Sequence, residues 1–269
     1  MLTSPYVLFA ITGILSGFLS GLLSIGGGFI LVPALMLIFA HFYTMEPHYA
    51  IQLILGTTMA CMVSNAISST MAQHKKTSIH WEYIKHNWLF IILGTMLGVI
   101  LTDYVSTFLI KFLFACFCLF SGYRVLFKKP VEVKEISNFK NTQFNTLFFG
   151  SLCGLIGVGG ANLVVPFLVK RGVDLRKALG TASAFQVPVS VSGTLSYLVI
   201  GLYGSVPATS QPYAIGYVYL PALLVITLFA VGFNKLGVSV AHKLPIDKLK
   251  KCFGVFTLIV GIVTLIKIT

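Results

Sequence analysis

Residues 24–33 read SIGGGFILVP, and residues 157–166 read GVGGANLVVP. Each stretch sets a glycine cluster in an apolar run and closes it with a proline, Pro33 or Pro166. A glycine in a helix interior costs about 1 kcal/mol relative to alanine, and a proline lacks the N–H that the interior needs. A chain that carries this pattern twice is built around two helix breaks.

The surroundings of the breaks define the class. Of 269 residues, 57% are apolar and only 10% charged, which is more apolar surface than a soluble domain hides. The reading is an all-α polytopic membrane protein. Apolar segments cover about 6–23, 28–40, 49–72, 86–104 and 107–127, then 144–158, 160–169, 177–203, 215–234 and 249–268. The first of these reads as a membrane segment rather than a signal peptide, because the first basic residue of the chain is Lys75.

A formal net charge of +12 raises the question of nucleic acid, and the distribution answers it. All 19 basic residues except Lys111 and Lys267 fall within 75–85, 124–140, 170–177 and 235–251. The connections 41–48, 104–106 and 204–214 contain none. This is the positive-inside pattern, so the basic connections are cytoplasmic and the others external. The partners expected are a small anionic substrate and membrane lipid, with no nucleic acid; self-association, a homodimer included, is left open. Lys111 is expected to snorkel to the surface from a helix end.

Both halves of the chain repeat one text. GFLSGLLSIGGGFILVPAL (17–35) aligns with GSLCGLIGVGGANLVVPFL (150–168), and GTTMACMVSNAISST (56–70) aligns with GTASAFQVPVSVSGT (180–194). The charge pattern runs each segment opposite to its counterpart. The expected organisation is therefore an inverted repeat of two five-segment halves: a first transmembrane repeat at 1–127, a cytoplasmic linker at 128–143 and a second transmembrane repeat at 144–269. The limbs after the glycines have about 13 and 10 residues, short of the roughly 20 that cross the hydrocarbon. They are expected to be half-helices of broken, re-entrant hairpins.

A break of this kind exposes backbone amides, which cannot face lipid and must line a protein-buried or wet cavity. The N-terminus of the following half-helix carries about half a positive charge, and glycine lets a ligand approach the backbone. Together these make an anion site. Gly26, Gly27, Gly28, Gly159 and Gly160 are assigned to it. Gly13, Gly17 and Gly21 have the small-xxx-small spacing of helix contacts, and Gly13 and Gly17 are assigned to packing. A methyl at Gly13 is expected to be tolerated. Neutral donors suit an oxyanion without burial of a charge. Asn162, Thr57, Thr58, Ser64 and Asn65 are candidates beside the first break or the second, with Thr181, Ser183 and Gln186 on the corresponding helix of the second half.

The paired glycine-cluster-then-proline segments, each followed by a GT motif, resemble the sulfite exporter TauE/SafE family of membrane permeases. That resemblance covers nearly the whole chain and implies transport of small sulfur-containing anions, such as sulfite or organosulfonates like sulfoacetate, in a bacterial inner membrane. The clusters differ: Gly26-Gly27-Gly28-Phe29 in the first, Gly159-Gly160-Ala161-Asn162 in the second. The GT motifs continue as Thr58-Met59 and Ala182-Ser183, so the half-sites are chemically unequal.

Catalysis has no foothold in the sequence. There is no HExxH or GxSxG motif, and no pair of carboxylates at membrane depth. Asp103 falls at an external helix end, and the histidines lack metal-site spacing. The five cysteines show no pairing logic. No cofactor is expected. The competing reading is a non-transporting membrane accessory or assembly subunit, or a permease for another small organic anion.

Overall fold

The computed structural model describes residues 4–23, 26–75, 79–127, 142–203, 211–243 and 245–266. Among them ten helices follow one another: α1 (Pro5–Leu23), α2 (Gly28–Phe42), α3 (Pro47–His74), α4 (Trp81–Tyr104), α5 (Thr107–Phe127), α6 (Gln143–Ile156), α7 (Ala161–Lys170), α8 (Leu175–Tyr203), α9 (Leu220–Lys243) and α10 (Ile246–Ile266). A hairpin of two short strands, β1 (Ala214–Ile215) and β2 (Val218–Tyr219), precedes α9. Among the described residues, six helices are long and apolar enough to cross a membrane: α1, α3, α4, α5, α8 and α9. The protein is an all-α polytopic membrane protein. The linker expected at 128–143 lies almost wholly outside the described residues, as does 204–210 of the external connection.

α2 and α7 are short, at 15 and 10 residues. At about 1.5 Å per residue they reach about 22 and 15 Å, against a hydrocarbon core of about 30 Å. α3 and α8, at 28 and 29 residues, are the long central pair and pack on one another.

Backbone-to-backbone contact through glycine joins the outer pairs. α1 lies on α9, where a Cβ at Gly13, Gly17 or Gly21 would run into the carbonyl of Ile226, Ala230 or Asn234. α6 lies on α4 in the same manner, Gly94 and Gly98 meeting the carbonyls of Leu147 and Ser151. Gly150 and Gly154 return the contact to Ile91 and Thr95. Close approach of this kind gives dispersion contact where lipid offers no hydrophobic driving force. The assignment of Gly13 and Gly17 to packing therefore stands, but the tolerance expected of a methyl at Gly13 does not: it would sit 2.6 Å from the Ile226 carbonyl.

One segment differs from expectation. Residues 215–219 were expected within the ninth apolar segment, and they form the hairpin instead. Gly216, at φ 54°, opens a two-residue turn that pairs Ile215 with Val218 and Ala214 with Tyr219. The helix starts at Leu220, with Pro221 in its first turn, where the missing N–H is harmless. The hairpin packs against α3 and α8 inside their ends: Tyr217 donates its N–H to Tyr197 O, and Gly56 admits the Tyr217 carbonyl. Phe9, Phe39, Tyr43 and Tyr219 then close an aromatic cluster, with the Tyr43 and Tyr219 hydroxyls 3.0 Å apart.

Candidate functional site

Both glycine clusters stop a helix and restart one. Gly27 and Gly160 are the residues before α2 and α7, each in the left-handed region, at φ 77° and 74°. In that conformation an L side chain is strained, so glycine is required. Their carbonyls accept the first helical bonds, from Ile30 and Leu31 in one case and Leu163 and Val164 in the other, at 2.9–3.0 Å. Neither helix has a side-chain cap. α6 ends on Gly157, also left-handed, whose N–H closes on Cys153 O at 3.0 Å.

The two breaks touch. A Cβ on Gly28 would lie 2.5 Å from the Gly157 carbonyl and 3.1 Å from the Met62 sulfur. Gly26, at φ 83°, accommodates the Gln186 side-chain amide, which occupies the space a Cβ would need. Beside Gly27, a Cβ would stand 3.3 Å from Asn65 Nδ2 and 3.4 Å from Ser16. One residue of α3 and one of α8, Asn65 and Gln186, thus bring their amides to the first break. At the second, Gly160 leaves room for Phe185 and Cys153. Gly159 is buried with it.

The candidate side chains divide sharply by hydrogen bonding. Asn65 is fully buried, and neither its Nδ2 nor its Oδ1 has a partner. Gln186, 1% exposed, has an unpartnered Nε2. Thr58 Oγ1 and Asn162 Nδ2 are likewise buried atoms without partners. Buried polar groups are nearly always bonded, and each that is not costs about 1–3 kcal/mol. Other orphans lie along the helices, Ser20 and Thr227 among them. Asn65 and Gln186 are set apart by standing against the left-handed glycines.

Thr57, Thr181, Ser64 and Ser183 hydrogen-bond within the protein. Thr57 donates to Leu53 O and accepts the Tyr219 N–H at 2.9 Å. Thr181 donates to Lys177 O and accepts the His80 N–H at 2.8 Å. Ser64 and Ser183 donate to Cys61 O and Leu179 O within their own helices. In this structure each of these hydroxyls gives its one proton to a main-chain carbonyl of its own helix. The sequence reading did not name the neighbours Ser16, Met62, Phe185 and Cys153; Met62 and Phe185 come to the breaks from α3 and α8, and Cys153 from the last turn before Gly157.

Charged groups stay at the periphery. Asp103 is exposed at the end of α4, where its carboxylate accepts from Gln52 Nε2. Glu46 caps α3 by accepting from Tyr49 N at 2.8 Å, and that bond, with one from His48, holds its carboxyl below the usual range. Among the described residues no cluster of His, Cys, Asp and Glu could hold a metal ion, and Cys61, Cys116, Cys118 and Cys153 are free thiols.

The fold is that of a polytopic helical membrane protein in which two short helices start, without side-chain caps, at left-handed glycines. The chain belongs to the sulfite exporter TauE/SafE family, which matches it over residues 9–264. It is 30% identical over 256 residues to a probable membrane transporter protein of Haemophilus influenzae, covering 94% of this chain and 95% of the relative. A probable membrane transporter protein of Methanocaldococcus jannaschii is 25% identical, over 88% of this chain and 86% of its own. The probable membrane transporter protein YdhB of Bacillus subtilis is 23% identical, over 70% and 76%. No solved structure matches the chain.

Proposed function

We propose that the protein is a permease for small anions, sulfur oxyanions or organosulfonates such as sulfite or sulfoacetate, bound at the glycine breaks and moved by alternating access. The observation that carries this reading is the pair of buried, unpartnered amide nitrogens of Asn65 and Gln186 against Gly27 and Gly26. An oxyanion accepts from both Nδ2 and Nε2. It also meets the positive end of α2, worth roughly 0.3–1 kcal/mol per exposed charge and up to about 2 when partly buried. Neutral donors bind it without a buried cation that would need a counter-charge when the site empties.

Alternating access asks for two equivalent halves. The helix pairing supports them: α1 on α9 becomes α6 on α4 when residues 1–127 are exchanged with 144–269, while α3 on α8 and α5 on α10 exchange into themselves. The Thr57 and Thr181 bonds exchange in the same way. Inverted halves of this type rock about a midplane site. With the basic connections inside, both termini are external, and the membrane is the bacterial inner membrane.

Purified protein in liposomes tests the reading. Labelled sulfite, thiosulfate, sulfoacetate, taurine and carboxylates are offered in counterflow. Saturable exchange of a sulfur oxyanion or sulfonate above protein-free liposomes is expected. Exchange of none, with no binding, would assign the breaks to docking in a non-transporting subunit.

A further inference from the structure

Asn65 offers more than an anion can use. A primary amide presents N–H donors at one end and a carbonyl acceptor at the other, and here both ends are buried without a partner. An anion with acceptors only would satisfy Nδ2 and leave Oδ1 unpaired beside a negative charge. Rotating the amide exchanges its ends and leaves the same mismatch. Gln186 Nε2 supplies a further donor across the break. Among the described residues, the atoms nearest to a Cβ at Gly26, Gly27 or Gly28 belong to Gln186, Asn65, Ser16, Met62, Gly157 and Val158, all uncharged, which favours a single negative charge over two.

We infer that the ligand is a monoanion carrying its own hydrogen-bond donor next to the anionic group. It is a hydroxy-substituted sulfonate or carboxylate, or a monoprotonated oxyanion. Asn65 Oδ1 accepts from the ligand O–H, while Asn65 Nδ2 and Gln186 Nε2 donate to its negative oxygens. A site that hydrogen-bonds a substrate hydroxyl discriminates strongly against the analogue lacking it, because its own buried group is left unpaired. Chloride, nitrate and unsubstituted sulfonates are therefore poor ligands. This rests on the anion-permease reading and narrows its substrate: it excludes sulfoacetate, a donorless dianion at neutral pH, and selects hydrogensulfite over the sulfite dianion.

Matched pairs test it on the purified, detergent-solubilised protein: hydroxyethanesulfonate against ethanesulfonate, and hydroxyacetate against acetate, by titration calorimetry. The hydroxylated member of each pair should bind roughly tenfold or more tightly. In Asn65→Leu that preference should vanish. In Gln186→Met both members should weaken alike, with their ratio kept, so the inference stays testable if Asn65→Leu does not fold. Equal binding within each pair by the wild-type protein, or a preference that survives Asn65→Leu, overturns the donor requirement alone. Absence of binding by any anion, together with absence of exchange in liposomes, overturns the permease reading itself.

Discussion

The side-chain oxygen of Thr57, in α3, accepts the backbone N–H of Tyr219 at 2.9 Å, so a residue of the first GT motif fastens the hairpin that leads into α9. Thr181, of the second GT motif, accepts the N–H of His80 at 2.8 Å, where the chain enters α4. Each threonine thus holds the entry of a helix from the other half of the chain. The neighbouring Thr58 makes no such bond.

Thr57 and Thr58 should consequently separate stability from binding. Thr57→Val leaves the Tyr219 N–H buried and unpaired, which costs about 1–3 kcal/mol. Its melting temperature in detergent should fall while anion affinity in the folded fraction holds. Thr58→Val removes an unpaired buried hydroxyl, so stability should hold or rise, and affinity should drop. The reverse pattern would place the GT threonines in the site.

Glycine contacts give a second contrast. A methyl at Gly17 would overlap the Ala230 carbonyl and force α1 off α9, and overpacking of this kind costs about 1–3 kcal/mol. A methyl at Gly232 meets nothing within 4 Å and should be neutral or mildly stabilising through helix propensity. Thermal unfolding of Gly17→Ala and Gly232→Ala checks both. Equal melting temperatures would show that the helix contact is looser than described.

Glu46 predicts a pH dependence. Its folded carboxyl is held low, first by the Tyr49 N–H and then by His48, so its contribution is present above the ordinary carboxylate range and lost as pH falls through the folded value. Glu46→Ala should lie below wild type in thermal stability near about pH 7, and the gap should close below about pH 4. A gap independent of pH would mean that the side chain acts by packing.

Orientation is tested by labelling. With the native cysteines replaced, single cysteines at 171 and 209 are exposed to an impermeant thiol reagent in intact cells. Position 209 should label and 171 should not, since 170–177 is assigned to the cytoplasm. Labelling at 171 alone inverts the scheme.

Much of this architecture is legible in the sequence because it depends on local pattern. Glycine followed by proline marks both breaks, and apolar length marks the ten helices to within about five residues, except that α9 runs on to Lys243 where 215–234 was expected. The helix contact of Gly13 and Gly17 is equally plain, and Gly94 with Gly98 and Gly150 with Gly154 carried the same spacing unremarked. The hairpin was not legible. Apolar residues 215–219 look like the start of a helix until Gly216 turns and Thr57 captures the Tyr219 N–H. The division of the polar candidates was hidden too. Thr57 and Thr58 are adjacent in sequence but point about 100° apart on a helix, and only the fold decides which proton is committed. Asn65 and Gln186 lie on helices 121 residues apart in number, and no spacing rule brings them to one glycine pair.

The most direct test of an anion held at the first break is the affinity of Gln186→Leu, measured beside its melting temperature. The amide of Gln186 is buried against Gly26 with its Nε2 unpaired, so its loss should not weaken the fold. Valine at Gly27 or Gly160 is a poorer probe, because the left-handed backbone at either glycine is strained by any side chain. The account predicts a melting temperature at or above that of wild type, with affinity for the best-bound anion reduced roughly five- to 150-fold, the equivalent of about 1–3 kcal/mol. Unchanged affinity in a protein of unchanged stability would contradict it and put the anion elsewhere.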